Sequence, residues 1–271
     1  MAATLSPAAG VPTVGALLRE WRQRRRLSQL DLANEAAVSA RHLSFVETGR
    51  SKPSPELVMH LAEQLDVPLR DRNALLLAAG YAPRYAQTPI DAAEMAPVRD
   101  ALDTILAGHH PFPAMVVDRH WDVVTANDAA YALLTQGIAD ELLAAPVNAL
   151  RVSLHPEGLA PRIVNFEPWA SHLVDRLRRE ADATADPVLG DLYDELCGFP
   201  GVSASPGDPD TVSRLFMPLV LRAPDGGELS FFSTVATFGT ARDVTVEELS
   251  IESFFPADER TASALRSLWT S

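Results

Sequence analysis

The sequence predicts two domains of different class: an all-α domain of five helices, then an α+β domain built on an antiparallel sheet. Three observations carry this. Through residue 82 the apolar residues recur at helical spacing between capped turns, whereas towards the C-terminus they gather into long β-branched and aromatic runs around Gly226-Gly227. The charge also divides along the chain. Up to Ile90 there are 11 Lys+Arg against 8 Asp+Glu, leaving 12 against 28 beyond it, so a mildly basic front precedes a strongly acidic body within a net charge of -13.

A length of 271 residues suits two ordinary domains, and 47% hydrophobic with 22% charged residues is the balance of a folded globular chain. No apolar run approaches the length a bilayer needs, so no membrane association is expected. Cys197 is alone, which excludes a disulfide framework and a thiolate-rich metal site and fits a reducing cytoplasm. Residues 1–12 are small, polar and Pro-containing, with no basic start before an apolar core. A flexible arm is expected there rather than a secretory signal.

The first domain is expected over 13–82. Leu17, Leu18 and Trp21 give an amphipathic helix over 14–25. Ser28 is placed as an N-cap, with Asp31 three residues on, so a second helix runs over 29–36. Ser39 caps a third over 40–47, and Val38-Ser39 leaves room for only a tight turn between the two. That spacing forces a steep crossing, for which Leu32, Ala33, Ala36, Val38, Leu43 and Val46 supply small and branched contacts. Gly49 can take the left-handed conformation that ends a helix. Ser54-Pro55 then starts a fourth helix, with Leu57, Val58, Leu61, Ala62 and Leu65 on its buried face. A fifth over 69–79 stops at Gly80.

A helix-turn-helix of this form meets base edges in the major groove near the N-terminal end of its second helix. Here that end presents Ser39, Ala40, Arg41, His42, Ser44 and Phe45, and Arg41 can reach guanine bidentately. Gln29, Arg50 and Lys52 are placed for phosphate contacts that fix register. The basic run Arg24-Arg25-Arg26, with Arg19 and Arg22, reinforces this end, unless it is only a solvated helix face. Ser28-Gln29, Leu32-Ala33, Val38-Ser39, Leu43, Glu47 and Gly49 resemble the lambda-repressor/Cro-like helix-turn-helix family, of the xenobiotic-response-element type. The resemblance implies a pseudo-palindromic double-stranded DNA operator bound by a homodimer. Ala37 departs from it: Gly is usual at this turn, and a left-handed Ala costs about 1 kcal/mol.

Pro83 and Pro89 mark a linker over 83–95, and the second domain is expected over 96–271. A helix over 96–107 leads into His109-His110-Pro111-Phe112-Pro113. With no further ligand at metal spacing, this reads as a loop with two solvated imidazoles. A strand over 114–118, a turn, a partner strand from Trp121 to Ala126 and a helix capped by Asn127-Asp128 form a PAS-like opening. Helical segments follow over 138–143, 163–179 and 191–196, and a surface loop over 200–209. Strands over 212–221 and 229–238 flank a turn at 222–227, a last strand covers 246–255, and a final helix reaches Trp269. About five strands with helices on one side are expected.

Several of these stretches resemble the MmyB-like ligand-binding domain that accompanies such helix-turn-helix modules in bacterial regulators. They include 117–122, Ala126-Asn127, His155-Pro156-Glu157-Gly158, Ile163-Val164-Asn165, Thr237-Phe238-Gly239-Thr240 and 251–259. The resemblance implies a PAS-like pocket for a small apolar acid, a fatty acid being the class associated with the family, and no other cofactor. Independently, Phe112, Trp121, Phe166, Trp169, Phe231 and Phe238 are available as apolar walls, with His155, Arg162 and Asn165 as polar anchors. The same aromatics would serve as core in a sheet that is not hollow. His155 with Glu157 or Asp118, and Cys197 with His172, lie in no recognised catalytic motif, so an enzyme is not expected. The alternative is a DNA-binding regulator that acts through a protein partner without a small ligand.

Overall fold

The computed structural model describes residues 12–203, 217–223 and 226–268. The expected arm ahead of Pro12, most of the 200–209 loop, the start of the strand expected from residue 212, the Pro224-Asp225 part of its turn and Trp269 lie outside the described residues. In chain order the helices and strands are α1 (Val14–Arg24), α2 (Gln29–Glu35), α3 (Ala40–Glu47), α4 (Pro55–Gln64), α5 (Leu69–Ala78), α6 (Ala96–His109), β1 (Ala114–Val117), β2 (Val123–Ala126), α7 (Asp128–Leu134), α8 (Ala149–Leu154), α9 (Phe166–Thr184), α10 (Pro187–Cys197), β3 (Leu219–Arg222), β4 (Glu228–Thr237), α11 (Val244–Glu247), β5 (Ser250–Pro256) and α12 (Glu259–Leu268). Two compact units result. The first comprises the chain through Thr88 together with Thr240–Glu247, and the second Pro89–Gly239 together with the chain from Glu248.

Helices α1 to α5 of the first unit start where side chains can satisfy their free amides. Ser28 accepts from the Asp31 amide at 3.1 Å while the Asp31 carboxylate accepts from the Ser28 amide at 2.9 Å, a reciprocal capping box. Ser39 and Ser54 cap α3 and α4 one way only, accepting from the His42 and Leu57 amides. Leu18, Trp21, Leu32, Leu43, Val46, Leu61 and Leu65 form one core. Gly15 lets α1 reach the end of α3: a Cβ there would lie 2.3 Å from the Val46 carbonyl oxygen. Ala37 does adopt the left-handed conformation, at φ 51°, and Arg26 and Asp66 do so where α1 and α4 have ended.

The first unit is completed from far along the chain. Pro68, ahead of α5, offers no side-chain cap, and the Glu247 carboxylate of α11 accepts from the Leu69 amide at 2.7 Å instead. Asp243 accepts from the Thr88 hydroxyl at 2.7 Å and from the Thr245 amide at 2.8 Å. This last bond turns the chain into α11, so the strand expected from Val246 begins only at Ser250.

The second unit holds a five-stranded antiparallel sheet in the order β2-β1-β5-β4-β3. Met115 and Val117 face a core shared with Trp169, Leu173 and Leu177 of α9 and Leu192 of α10. Ala114 and Val116 face Leu102 and Leu106 of α6, together with Ile251. Helices therefore cover both faces, not one as expected. The reason is legible in β1, an unbroken apolar run buried at every residue, which needs cover on either side.

Other boundaries also move. The second strand starts at Val123 because Trp121 lies in the preceding turn at φ 67°. Ile163 precedes α9 and bridges to Leu221. His109 is not a solvated loop residue: it ends α6, its Nε2 lies 2.9 Å from the Phe254 carbonyl oxygen, and its ring meets Phe255 edge-on at 4.6 Å.

Candidate functional site

The first unit presents α3 on a rigid base. Glu47, whose side chain is 0% exposed, accepts from Arg22 Nε at 2.7 Å and Nη2 at 3.0 Å, and from Gln29 Nε2 at 2.8 Å. Arg22 uses its remaining nitrogen on the Leu27 carbonyl at 2.7 Å, and Arg19 Nε lies 3.5 Å from the same carboxylate. Burial pushes the Glu47 carboxyl up, but the bonds from Arg22 and Gln29 and the Arg22 charge outweigh it and hold the group below the usual carboxylate range. Bidentate geometry and complete partnering make this network a lock between α1, α2 and α3.

On that base Arg41 and His42 are exposed, and the Arg41 guanidinium lies 5.4 Å from the centre of the half-buried Phe45 ring. Ser39 spends its hydroxyl on the His42 amide, Ala40 packs against the core, and Ser44 is half-buried. Arg50 is exposed, and Lys52 Nζ stands 4.7 Å over the Tyr81 ring. Gln29 turns its amide nitrogen inward to Glu47, so it supports α3 from below. The basic run is largely engaged as well: Arg22 is buried in its ion pair, Arg24 pairs with Glu20, and Arg25 donates to the Leu65 and Asp66 carbonyls at 2.8 Å.

In the second unit a cavity of about 260 Å3 lies between the sheet, α7, α8 and α9. Its walls are mostly apolar: Met115, Val123, Ala126 and Phe254 from the sheet, Ala130 from α7, Ala149, Leu150 and Val152 from α8, Trp169 and Leu173 from α9. Polar groups gather where Arg176 and Glu252 meet. His172, Arg176 and Glu180 recur every fourth residue along one flank of α9, and alternation in β5 puts Glu252 on the face that carries Phe254. Arg176 donates from Nε to Glu180 at 3.0 Å and from Nη1 to Glu252 Oε1 at 2.6 Å, with its guanidinium 4.3 Å over the Trp121 ring. The Trp121 indole in turn donates to Glu180 Oε2 at 2.9 Å.

A bulky residue at positive φ is strained, and its surroundings must hold it there. At Trp121 they do. Asp118 Oδ1 accepts from the His120 amide at 2.8 Å and the Asp122 amide at 3.0 Å, Asn148 clamps the His120 carbonyl at 2.8 Å, and the Trp121 carbonyl accepts from the Ala149 amide at 2.9 Å. The result aims the indole into the cavity wall. Burial raises the Glu252 carboxyl above the usual range; Arg176 opposes the shift and Glu180 adds to it. Burial, with the charges of Arg176 and Arg179, lowers His172 and keeps it neutral near pH 7.

Of the wall and anchor residues expected from the sequence, Trp121 and Trp169 line this cavity and the others stand apart from its lining. Phe112 packs at the core margin, Phe166 against Gly201, and Phe231 is fully buried, while Phe238 joins the α6 side of the sheet. His155 meets Phe199 edge-on at 5.0 Å. Asn165 brackets β3, donating to the Pro218 carbonyl at 2.7 Å and accepting from the Val220 amide at 3.0 Å. Arg162 donates to the carbonyls of Leu133 at 3.0 Å and Gln136 at 3.1 Å. In the sequence His172 stands out only as a possible partner of Cys197, and Arg176, Glu180 and Glu252 are not singled out, although the spacing of four on α9 and the lone carboxylate in an apolar alternation are visible signals. Among the described residues no group of His, Cys, Asp and Glu could hold a metal ion.

A helix-turn-helix module followed by a sheet domain with an apolar cavity defines the class of ligand-regulated DNA-binding transcription regulators. Residues 98–268 match the family model of the MmyB-like transcription regulator ligand binding domain, and residues 13–75 match a helix-turn-helix domain model. The first match covers more than half of the chain, which therefore belongs to the MmyB-like transcription regulator ligand binding domain family. Both matches are to regulator domains, not enzymes. No curated protein matches by sequence. One similar solved structure is described as an RNA-binding light-oxygen-voltage receptor. It is 13% identical, the match covers 94% of this chain and 63% of that one, and the TM-score of 0.27 carries no structural argument. No described helix is long and apolar enough to cross a membrane.

Proposed function

We propose that the protein is a cytoplasmic, homodimeric regulator that reads a pseudo-palindromic DNA operator through α3 and is controlled by a small apolar acid, a fatty acid or similar compound, held in the cavity of its second unit. The observation that carries the effector reading is the cavity itself: about 260 Å3 of mostly apolar wall with a guanidinium at one end. A cavity of roughly 150 Å3 takes a benzene ring, so this one suits a ligand on the order of ten non-hydrogen atoms. Arg41 and His42 on α3 support the operator reading, being exposed beside Phe45 on a helix whose other face is locked. Two half-sites about one helical turn apart are the expected spacing for a dimer.

Solvent extraction of the purified protein, followed by mass spectrometry, tests the effector. A co-purified medium-chain acid at near one per chain is the expected result. An extract without acid, from protein whose melting temperature does not respond to added acid, would contradict the reading.

A further inference from the structure

We propose that Glu252 makes the cavity take its acid together with one proton, the ligand carboxyl and the Glu252 carboxyl sharing a single hydrogen in an O–H···O bond. The proposal rests on the acid reading above and specifies how that site recognises its ligand.

The cavity lining already contains one guanidinium, Arg176, and one carboxylate, Glu252. Arg176 is divided between Glu180 and Glu252, and Glu180 also holds the Trp121 indole. Glu252 is 5% exposed, lines the cavity, and uses only Oε1 in its ion pair, so Oε2 has no hydrogen-bond partner among the described residues. An ionised ligand carboxylate at this end would set a second carboxylate beside Glu252 in a mostly apolar lining, on a guanidinium already shared with Glu180. Like charges held that closely share a proton instead of both ionising. With one proton present, the ligand can donate to Glu252 Oε2 or accept from it, and its other oxygen can take the remaining Arg176 nitrogen. Neither charge is then left unpaired.

Glu252 is the carboxylate that lines the cavity. From α9, His172 and Arg176 line the cavity and Glu180 meets Arg176 outside the lining, and on α7 the Tyr131 phenol lines the same cavity. The strands on either side present Met115 and Val235 at its register, neither of which ionises. His172 is held neutral by burial and by Arg176 and Arg179.

The sign of the pH dependence follows. Where Glu252 is already protonated in the empty protein, an ionised acid binds without taking a proton from solvent, and its Kd is flat with pH. Above that point the proton comes from solvent, and the Kd weakens by about tenfold per pH unit. Binding of decanoic acid, 1-decanol and decylamine to the full chain, from about pH 5 to about pH 9, is the test. The expected result is an alkaline slope for decanoate, no slope for decanol, and a flat profile for decanoate with E252Q, whose amide donates without titrating. Calorimetry of the unaltered protein in two buffers of different ionisation enthalpy should show about one proton taken up per decanoate on the alkaline side, which keeps the test open if E252Q does not fold. A flat decanoate profile in the unaltered protein, or a slope that survives in E252Q, overturns the inference and leaves the acid effector standing. Decanol or decylamine bound at every pH where decanoate is not, or no binding of any of the three, overturns the acid reading and the inference with it.

Discussion

The two units each bury an arginine–glutamate pair, and the pairs differ in what they leave unused. In the first, Glu47 takes bonds on both oxygens from Arg22 and Gln29, and Arg22 commits all three nitrogens. In the second, Arg176 spans two carboxylates and Glu252 leaves an oxygen towards a cavity. The electrostatics diverge accordingly: Glu47 is held below the usual carboxylate range and Glu252 is raised above it. A saturated pair fixes a fold, whereas an unsaturated pair beside a cavity has donors and acceptors to give to a ligand.

The largest effect that separates them should be on stability. Glu47→Ala strands the Arg22 charge in the core and should cost about 3–5 kcal/mol by urea unfolding. Glu252→Gln should cost about 1 kcal/mol or less, because Arg176 keeps Glu180 and the new amide can still accept. Equal losses would erase the distinction between the pairs.

Unfolding free energy against pH should sharpen it further. Glu47 has a depressed folded pKa, so its contribution is present above the ordinary carboxylate pKa and is lost as pH falls through the folded value. Glu252 has a raised folded pKa, so its contribution is present below the ordinary value and is lost as pH rises through the folded value. Substituting Gln for each should therefore remove opposite slopes.

Smaller effects concern the reading helix. Arg41→Ala should lose about 1–3 kcal/mol of discrimination between operator and mutated operator in a gel shift, while non-specific binding changes little. A uniform loss on all sequences would make Arg41 a phosphate contact. Ala37→Gly should raise stability by about 1 kcal/mol, since glycine takes φ 51° without a Cβ penalty. No gain would mean that the turn is relaxed as it stands.

How much of this was legible in the sequence varies with the range of the interaction. The caps at Ser28, Ser39 and Ser54 and the left-handed Ala37 are local, and each is visible within a few residues. The capping of α5 by Glu247 joins residues 178 apart, and nothing near Leu69 announces it. The cavity follows the same division. Trp121 and Trp169 stand out as large aromatics, but choosing them over Phe238 requires knowing which face of each strand meets α9 and which meets α6, and Phe231, in the same core as the two tryptophans, is fully buried outside the lining. Arg162 and Asn165 attract attention as polar residues near aromatics, yet they spend themselves on backbone groups, while the charged cluster comes from α9 and β5, about 75 residues apart.

The central claim is that occupancy of the cavity governs DNA binding. Operator affinity with and without decanoic acid, for the unaltered chain and for Ala149→Phe, whose ring would fill the cavity from α8, tests it most directly. The account predicts that the acid shifts operator affinity of the unaltered protein by about 5-fold or more and leaves the filled variant unmoved. Equal operator affinity with and without acid in the unaltered protein, under conditions where the acid is shown to be bound, would contradict it.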